Sequence, residues 1–177
     1  LINTTLDYGT LNLYNDYNQN NNVLIKDGTT FYDRKVASGE KDTLVIETNG
    51  DLILDHTNLQ KADFNNQRDQ WIATPSNQTA NVKLASANGQ VSIRNNSNIT
   101  VDKNIEINGK TNANVTTSDV TSNNGNITMI GGSKVTLGTA VEQAAGDTNV
   151  ITKKGSTLTA KNGNIKLWAK GDTKDPA

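Results

Sequence analysis

The sequence predicts an all-β fold, and within that class a parallel β-helix, from the spacing of its turns and apolar segments. Four Asn-Gly pairs, beginning at Asn49, Asn88, Asn124 and Asn162, are each followed by an alternating apolar segment. The pairs recur at nearly constant intervals of about 36 to 39 residues, which indicates a degenerate internal repeat. Repeats of this length are typical of solenoids, whose units bury their apolar faces only by stacking on each other.

The composition supports many short strands joined by tight turns. Only 33% of the 177 residues are hydrophobic, whereas 27 are Asn and 23 are Thr. Asn tolerates the left-handed backbone of turns, and the β-branched Thr suits the solvent side of a strand. The regular placement of the few apolar residues therefore predicts order in thin, repeated layers.

A second strand keeps its offset from the Asn-Gly pair in two copies of the repeat. Ile99 and Val101 follow Asn88 at the same offsets at which Val135 and Leu137 follow Asn124. We therefore predict two coils of about 18 to 19 residues in each period, with the Asn-Gly corners stacked and their asparagines bonded as a ladder. The residues predicted to point inward are Val91, Ile93, Ile99, Val101, Ile105, Ile107, Ile127, Met129, Val135, Leu137, Leu158, Ile165 and Leu167.

An antiparallel β-sandwich is the alternative fold, because Asn-Gly is also a strong signal for a two-residue hairpin turn. A hairpin needs comparable strands on both sides of the turn. The segments before each pair, such as 84–87 and 119–123, are too short to match the strands that follow. The spacing therefore favours the solenoid.

Two segments interrupt the repeat and define the predicted organisation. Residues 1–36 form a Tyr-rich, edge or cap-like β portion, and residues 37–177 form the β-helix coils. Residues 55–81 are predicted to be a loop excursion from those coils, because no strand periodicity is visible there until Val82. The four tyrosines of the N-terminal portion are Tyr8, Tyr14, Tyr17 and Tyr32.

Charge and motif content argue against several functional classes. The 17 basic and 18 acidic residues are mixed along the chain, which is not typical of a nucleic-acid-binding protein. No apolar run is long enough for a membrane helix, so we expect no membrane insertion. With no cysteine, and His56 as the only histidine, we predict no catalytic residues, no metal site and no cofactor. Because the chain begins at Leu1, we expect a processed piece of a longer protein.

The C-terminal half carries a recurring phrase, Gly-Ser-x-apolar-x-Ala followed by Gly-Asn-x-x-apolar-x-Ala. It is clearest in 155–169, with partial copies in 125–129 and 132–138. This phrase resembles the filamentous haemagglutinin-type repeats of bacterial two-partner secretion exoproteins, and the resemblance covers roughly residues 82–170. The resemblance implies a right-handed β-helical filament, exported through an outer-membrane transporter to the surface of a Gram-negative bacterium. It also implies an adhesin or the stalk of a contact-dependent inhibition effector.

Candidate binding residues lie where the repeat is disturbed. Trp71 and Phe64, with Arg68 and Asp69 nearby, suit a sugar-stacking platform in which an aromatic face lies beside polar groups. Tyr14 and Tyr17 are further candidates in the N-terminal portion. For Trp71 and Phe64 the alternative is that they pin the excursion against the flank of the solenoid. Strand alternation predicts that Trp168 points outward.

Three functional hypotheses follow from the sequence. The first is a non-enzymatic, secreted segment of a large cell-surface adhesin that presents loops to receptors or glycans on host or neighbouring cells. The second keeps the β-helix as a pure spacer in the stalk of a contact-dependent growth inhibition effector. The third is a polysaccharide-active β-helix enzyme or a phage tailspike fragment, because such enzymes use clustered carboxylates with a basic residue.

Overall fold

All regular structure in the described part of the chain is β-strand. The computed structural model describes residues 1–2, 5–8, 10–14, 22–33, 42–65, 70–73, 80–138 and 155–170. The strands are β1 Thr5–Tyr8, β2 Thr10–Tyr14, β3 Val23–Lys26, β4 Thr30–Asp33, β5 Asp42–Thr48, β6 Leu52–Asp55, β7 Asn58–Asn65, β8 Gln70–Ala73, β9 Ala80–Ser86, β10 Val91–Arg94, β11 Asn98–Val101, β12 Ile105–Gly109, β13 Asn112–Thr116, β14 Asp119–Ser122, β15 Ile127–Gly131, β16 Lys134–Gly138, β17 Thr157–Ala160 and β18 Ile165–Ala169.

The strands form three parallel sheets that wind as a β-helix, which confirms the predicted fold class. Sheet A has the order β3-β6-β10-β13-β16, sheet B the order β1-β4-β7-β11-β14-β17, and sheet C the order β2-β5-β9-β12-β15-β18. The chain visits the sheets in the order C, A, B and then begins the next coil. Each strand pairs in parallel and in register with the strand one coil away, and β8 alone lies off these paths, antiparallel to β7.

An uninterrupted coil is longer than the sequence analysis predicts. Asn81, Asn104 and Asn126 occupy equivalent corner positions in successive coils and are separated by 23 and 22 residues. In sheet A, Val91 pairs with Ala113 and Ala113 pairs with Val135, at the shorter of these two intervals. Each coil contains three short strands and three corners.

The Asn-Gly pairs lie at two different corners, so their spacing is not the structural period. Asn49 and Asn88 lie at the turn from sheet C to sheet A, and Asn124 and Asn162 lie at the turn from sheet B to sheet C. Asparagines at the same corner do stack, as predicted: Asn88 Nδ2 donates to Asn49 Oδ1, and Asn162 Nδ2 donates to Asn124 Oδ1 at 3.0 Å. Because Asn88 and Asn124 lie at different corners, the interval between them is not a structural repeat.

Insertions at corners explain the two longer intervals. Asp55 and Arg94 are paired residues of adjacent coils in sheet A, yet they are separated by 39 residues, against 22 residues in the uninterrupted coil. The difference of about 17 residues is an insertion that includes β8 and the second half of β7. Asn126 and Asn164 are separated by 38 residues, because a similar insertion lies between β16 and β17. Each insertion lengthens one coil without shifting the register of its strands.

The predicted excursion of residues 55–81 needs correction at both ends, because Ala80 and Asn81 already belong to β9 and pair with β5. Asn58 and Leu59 pair with β4 on one side and with β11 on the other, and Leu59 is 2% exposed. Asp55 ends β6 in sheet A. Because Leu59 is buried in the core, the excursion begins only after the coil residues of β7. It contains the antiparallel pair of β7 and β8.

The N-terminal residues continue the same three sheets. β1 and β2 are the terminal strands of sheets B and C, and β3 and β4 pair in parallel with β6 and β7. β1 and β2 therefore lie at one edge of the sheets, and this edge is built from the same coils as the rest of the described chain. Ile2 extends sheet A by one parallel bridge to Lys26.

The core is a narrow apolar column between the sheets. Burying one large aliphatic side chain contributes about 1.5–3 kcal/mol. Eight of the predicted inward residues are buried, and Val135 and Leu158 pack against them at the edge of the column. Leu137, Ile165 and Leu167 are 43%, 45% and 48% exposed, because β16 and β18 are terminal strands of their sheets. The buried apolar residues are Ile25, Leu44, Ile46, Leu52, Leu54, Leu59, Val82, Leu84, Val91, Ile93, Ile99, Val101, Ile105, Ile107, Ala113, Val115, Val120, Ile127 and Met129.

A buried hydroxyl column holds the corner between sheets A and B. Thr29, Thr57, Ser97 and Ser118 occupy equivalent positions there, and each is at most 1% exposed. Ser97 Oγ accepts from the backbone N–H of Thr57 at 2.9 Å, and Ser118 Oγ accepts from that of Ser97 at 3.1 Å. At this sharp turn these backbone N–H groups have no partner in a sheet, and the hydroxyl oxygens accept their hydrogen bonds instead. The residue before each of the four hydroxyl residues has a positive φ: 82° at Gly28, 50° at His56, 60° at Asn96 and 50° at Thr117.

An asparagine ladder holds the corner between sheets B and C. The backbone N–H of Asn104 donates to Asn81 Oδ1 at 3.2 Å, that of Asn126 to Asn104 Oδ1 at 2.9 Å, and that of Asn164 to Asn126 Oδ1 at 2.9 Å. Each Asn Oδ1 thus takes the place of the backbone carbonyl that would accept this N–H within a sheet. The predicted ladder of asparagines is confirmed here, but its members are not the asparagines of the Asn-Gly pairs. Asn126 and Asn164 directly follow such a pair, whereas Asn81 and Asn104 lie at corners without one.

Candidate functional site

The outward side of sheet C, here called the sheet C face, carries charged, amide and aromatic side chains. These residues alternate with the buried ones along each strand. Tyr14 and Trp168 lie in one register column, five strand spacings apart, which corresponds to about 24 Å at about 4.8 Å per strand. That column contains Tyr14, Glu47, Ala85, Asn108, Ile130 and Trp168, and its neighbour contains Val45, Lys83, Glu106, Thr128 and Lys166.

An ion pair divides this face near its middle. The Lys83 ammonium donates to Glu47 Oε1, and this hydrogen bond raises the pKa of Lys83, with a smaller contribution from the Glu106 carboxylate. A cleft of about 230 Å³ lies on one side, between Glu47 and Asn108, and one of about 280 Å³ lies on the other, beside Val45. Both are smaller than most small-molecule sites. These clefts therefore suit parts of an extended ligand better than a whole small molecule that would be enclosed in one cleft.

Trp168 and two lysines form a cationic cluster at the last described strand of this face. Lys166, Trp168 and Lys170 follow each other at every second position, so their side chains emerge on the same side. The Lys166 and Lys170 ammonium nitrogens lie 4.6 and 5.3 Å from the centre of the Trp168 ring, within the range of cation–π attraction. Trp168 pairs with Ile130, whereas Leu167 pairs with the buried Met129, so Trp168 lies on the outward side of the sheet as predicted.

The charges of Asp55 and Arg94 on sheet A, in contrast, neutralise each other. Arg94 Nε donates to Asp55 Oδ2 at 2.8 Å, and Asn95 Nδ2 donates to Asp55 Oδ1 at 2.8 Å. Both carboxylate oxygens of Asp55 therefore have partners within the β-helix. This arrangement ties two adjacent coils together and leaves no free charge for a ligand.

The predicted aromatic platform is only partly within the described residues. Phe64 in β7 and Trp71 in β8 lie directly opposite each other in the antiparallel register, so the backbone brings these two positions together. Arg68 and Asp69 fall in the segment between the two strands and lie outside the described residues. Phe64 and Trp71 are thus adjacent positions on a hairpin that leaves the coil.

The two predicted tyrosine candidates also differ. Tyr14 ends β2, is 57% exposed and lies beside Glu47 on the sheet C face. Tyr17 lies outside the described residues. Tyr14 therefore belongs to the same surface as the cationic cluster, although the sequence analysis placed it in a separate N-terminal portion.

Comparisons with known protein families, with curated proteins and with solved structures found no match to this chain. The functional interpretation therefore depends on the repeat phrase in the sequence and on the surfaces described above. Those surfaces offer cations, amides and aromatic rings on a rigid sheet. Such groups recognise ligands by hydrogen bonding, ion pairing and stacking.

Sequence reasoning missed the charged members of the sheet C face. Lys83 and Glu47 are far apart in the sequence and come together only because each lies in the same sheet one coil from the other. Lys166 and Lys170 were visible in principle, because their positions on either side of Trp168 place all three on one side of a strand. This local alternation was the available signal.

Two further observations concern metals and membranes. Within the described ranges, no group of three His, Asp or Glu side chains is placed to hold a metal ion. The same residues include no helix that is long and apolar enough to cross a membrane.

Proposed function

We propose that this chain is a non-enzymatic segment of a large secreted adhesin on a bacterial cell surface. Its β-helix would act as a rigid support that presents the sheet C face and the β7–β8 hairpin to receptors or glycans on host or neighbouring cells. Rigid scaffolds with projecting loops are a common arrangement for binding. The proposal requires no cofactor, nucleic acid or membrane insertion.

The observation that carries this proposal is the way the hairpin leaves the β-helix. β7 pairs with β4 and β11 through its first residues and then continues, beyond the coil, into the antiparallel pair with β8. Strand β9 then resumes sheet C in register with β5 and β12. An insertion that leaves the coils undisturbed adds surface without being needed for the fold, which favours a binding role.

The repeat phrase of the C-terminal half supports the cellular context. The resemblance to filamentous haemagglutinin-type repeats favours export by two-partner secretion, with an outer-membrane transporter as the partner during secretion. The parallel β-helix is the architecture that this resemblance implies. The absence of cysteine suits a chain that crosses an oxidising compartment before it folds.

Removal of residues 62–78 tests the proposal. The deletion matches the length of the insertion at this corner, so it joins Lys61 to Thr79 and gives the corner the length of its equivalent between Ile99 and Ile105. We expect the variant to keep the far-ultraviolet circular dichroism spectrum and the unfolding transition of the parent chain. When parent and variant are each coated on fluorescent beads, the variant beads should no longer attach to cultured epithelial cells.

The same experiment separates the alternatives. A folded deletion variant that attaches as well as the parent would favour a pure spacer in an inhibition effector stalk. Parent beads that attach to no cell type would contradict the adhesin proposal. Release of reducing or unsaturated ends from acidic or neutral glycans during incubation would instead favour a polysaccharide-active enzyme.

A further inference from the structure

The last described coil differs from the others in its charge. In the earlier coils several cations pair with carboxylates: Lys26 with Asp27 at 2.9 Å, Lys83 with Glu47, and Arg94 with Asp55. Strands β16 to β18 and their described corners carry four lysines and no acidic residue. These lysines are Lys134, Lys161, Lys166 and Lys170, and all four are exposed.

Two of these cations are held close together by Trp168. Lys166 and Lys170 flank the indole ring on one strand, and both ammonium groups lie within cation–π distance of it. In the described part of the chain neither forms an ion pair with a carboxylate. The ring attracts both cations although they repel each other, so an anionic group that contacts both would relieve that repulsion.

We infer that this cluster, Lys166, Trp168 and Lys170, binds the carboxylate or sulfate groups of an acidic polysaccharide. The two ammonium groups donate to the anionic substituent. The exposed part of the indole offers an apolar surface to the sugar ring beside it. This inference rests on the proposed adhesin function and names the ligand class for one end of the sheet C face.

The size of the cluster favours an acidic unit of a polysaccharide over a nucleic acid or a lipid bilayer. Glu106 lies in the same register column as Lys166, two strands away, which is about 9.6 Å. A nucleic acid would need a continuous basic stripe, and the carboxylate of Glu106 interrupts one here. One exposed tryptophan is also little apolar surface for binding a lipid bilayer.

The position of the cluster keeps it accessible in a longer filament. Lys166 and Trp168 pair with the outward Thr128 and Ile130, whereas Ile165 and Leu167 pair with the buried Ile127 and Met129. A further coil stacked on β18 would cover the inward residues and leave the outward ones on the surface. The cluster therefore does not depend on the end of the column being open.

Intrinsic fluorescence tests the inference directly. Trp71 and Trp168 are the two tryptophans, so the Trp71→Phe chain reports on Trp168 alone. We expect saturable quenching by galacturonate oligosaccharides, weakening with added salt, and no effect of neutral dextran. In the same background, Lys166→Ala with Lys170→Ala should weaken binding about tenfold or more, because two charge-assisted contacts are lost.

A matched variant controls for net charge. Lys103→Ala with Lys110→Ala removes the same charge from exposed positions two coils away, and its affinity should stay within about twofold of the parent. Equal weakening in both double variants would overturn the inference, as would equal binding of dextran. Tighter binding of single-stranded DNA, or of phosphatidylserine vesicles, would assign the cluster to another partner.

The outcomes also separate this inference from the proposed function. A chain that attaches to cells but does not bind galacturonate would leave the adhesin proposal standing and overturn the acidic-glycan site. A chain that binds galacturonate through Lys166 and Lys170 but attaches to no cell would contradict the adhesin proposal alone. Circular dichroism of each variant shows that it is folded.

Discussion

The interior coils and the last described coil have similar apolar sequences along sheet C but different surroundings. Ile107 and Met129 are fully buried, whereas Leu167, which follows them in the same register column, is 48% exposed. The difference is that strands lie on both sides of β12 and β15 but on only one side of β18. Burial in this fold is therefore created between coils and not within one coil.

The largest expected effect tests this contrast in the core. Replacing Ile107 by Ala should lower the free energy of unfolding by about 2–5 kcal/mol, because it leaves a cavity between three stacked strands. Leu167→Ala is the matched control in the terminal strand and should cost less than about 1 kcal/mol, because half of that side chain is already exposed. Urea unfolding followed by circular dichroism measures both, and equal losses would contradict the contrast.

A smaller effect is expected at the corner between sheets A and B. Ser97→Ala removes the hydroxyl that accepts from the Thr57 backbone N–H at 2.9 Å and donates to the Arg94 carbonyl at 2.7 Å. Leaving the buried N–H without a partner should cost about 1–3 kcal/mol. Ser133→Ala, at an exposed corner position, should change stability by less than about 0.5 kcal/mol. A Ser97 variant as stable as the control would show that the hydroxyl column is not structural.

The smallest expected effect concerns the paired charges of the interior coils. The Glu47 hydrogen bond raises the pKa of Lys83 above its ordinary value of 10.5. Its contribution is therefore present at lower pH and is lost as the pH rises through the folded-state pKa. Because Lys83 is partly exposed, the contribution should be under about 1 kcal/mol.

The difference in unfolding free energy between the parent chain and Lys83→Met measures this contribution. It should shrink as the pH rises from about 9 to about 12. In a Glu47→Gln background, Lys83→Met should show no such change, because the carboxylate that raises the Lys83 pKa is absent. A constant difference for Lys83→Met would indicate that the ion pair contributes nothing to stability.

The fold class was predictable because apolar alternation fixes which side of each strand faces the core. Ile105, Ile107, Ile127 and Met129 were placed inward from alternation alone, and all are buried. The coil length was not predictable from the Asn-Gly spacing. A similar local turn, in which Ser86 or Ser122 accepts the N–H of the glycine that follows it in the turn, serves two different corners.

Insertions made the wrong period look regular. The segments added after the coil residues of β7 and after β16 lengthen two coils to 39 and 38 residues. Both lengths are close to the interval between Asn88 and Asn124, which lie at different corners. The local sequence does not show which corner a turn occupies, because the position of a turn depends on which strand of the neighbouring coil its flanking strands pair with. The pairing of Lys83 with Glu47 was hidden for the same reason, whereas the outward position of Trp168 needed only alternation.

The most direct test of the account is the removal of one whole coil. Deleting residues 105–126 places Ile127 directly after Asn104, so β15, β16 and β17 should stack on β9, β10 and β11. The account predicts a β-sheet circular dichroism spectrum and a cooperative thermal transition for this variant. Deleting residues 105–129 also removes Ile127 and Met129, so no sheet C strand is left between β11 and β16, and the transition should be lost. A cooperative transition for this longer deletion and none for the whole-coil deletion would contradict the account.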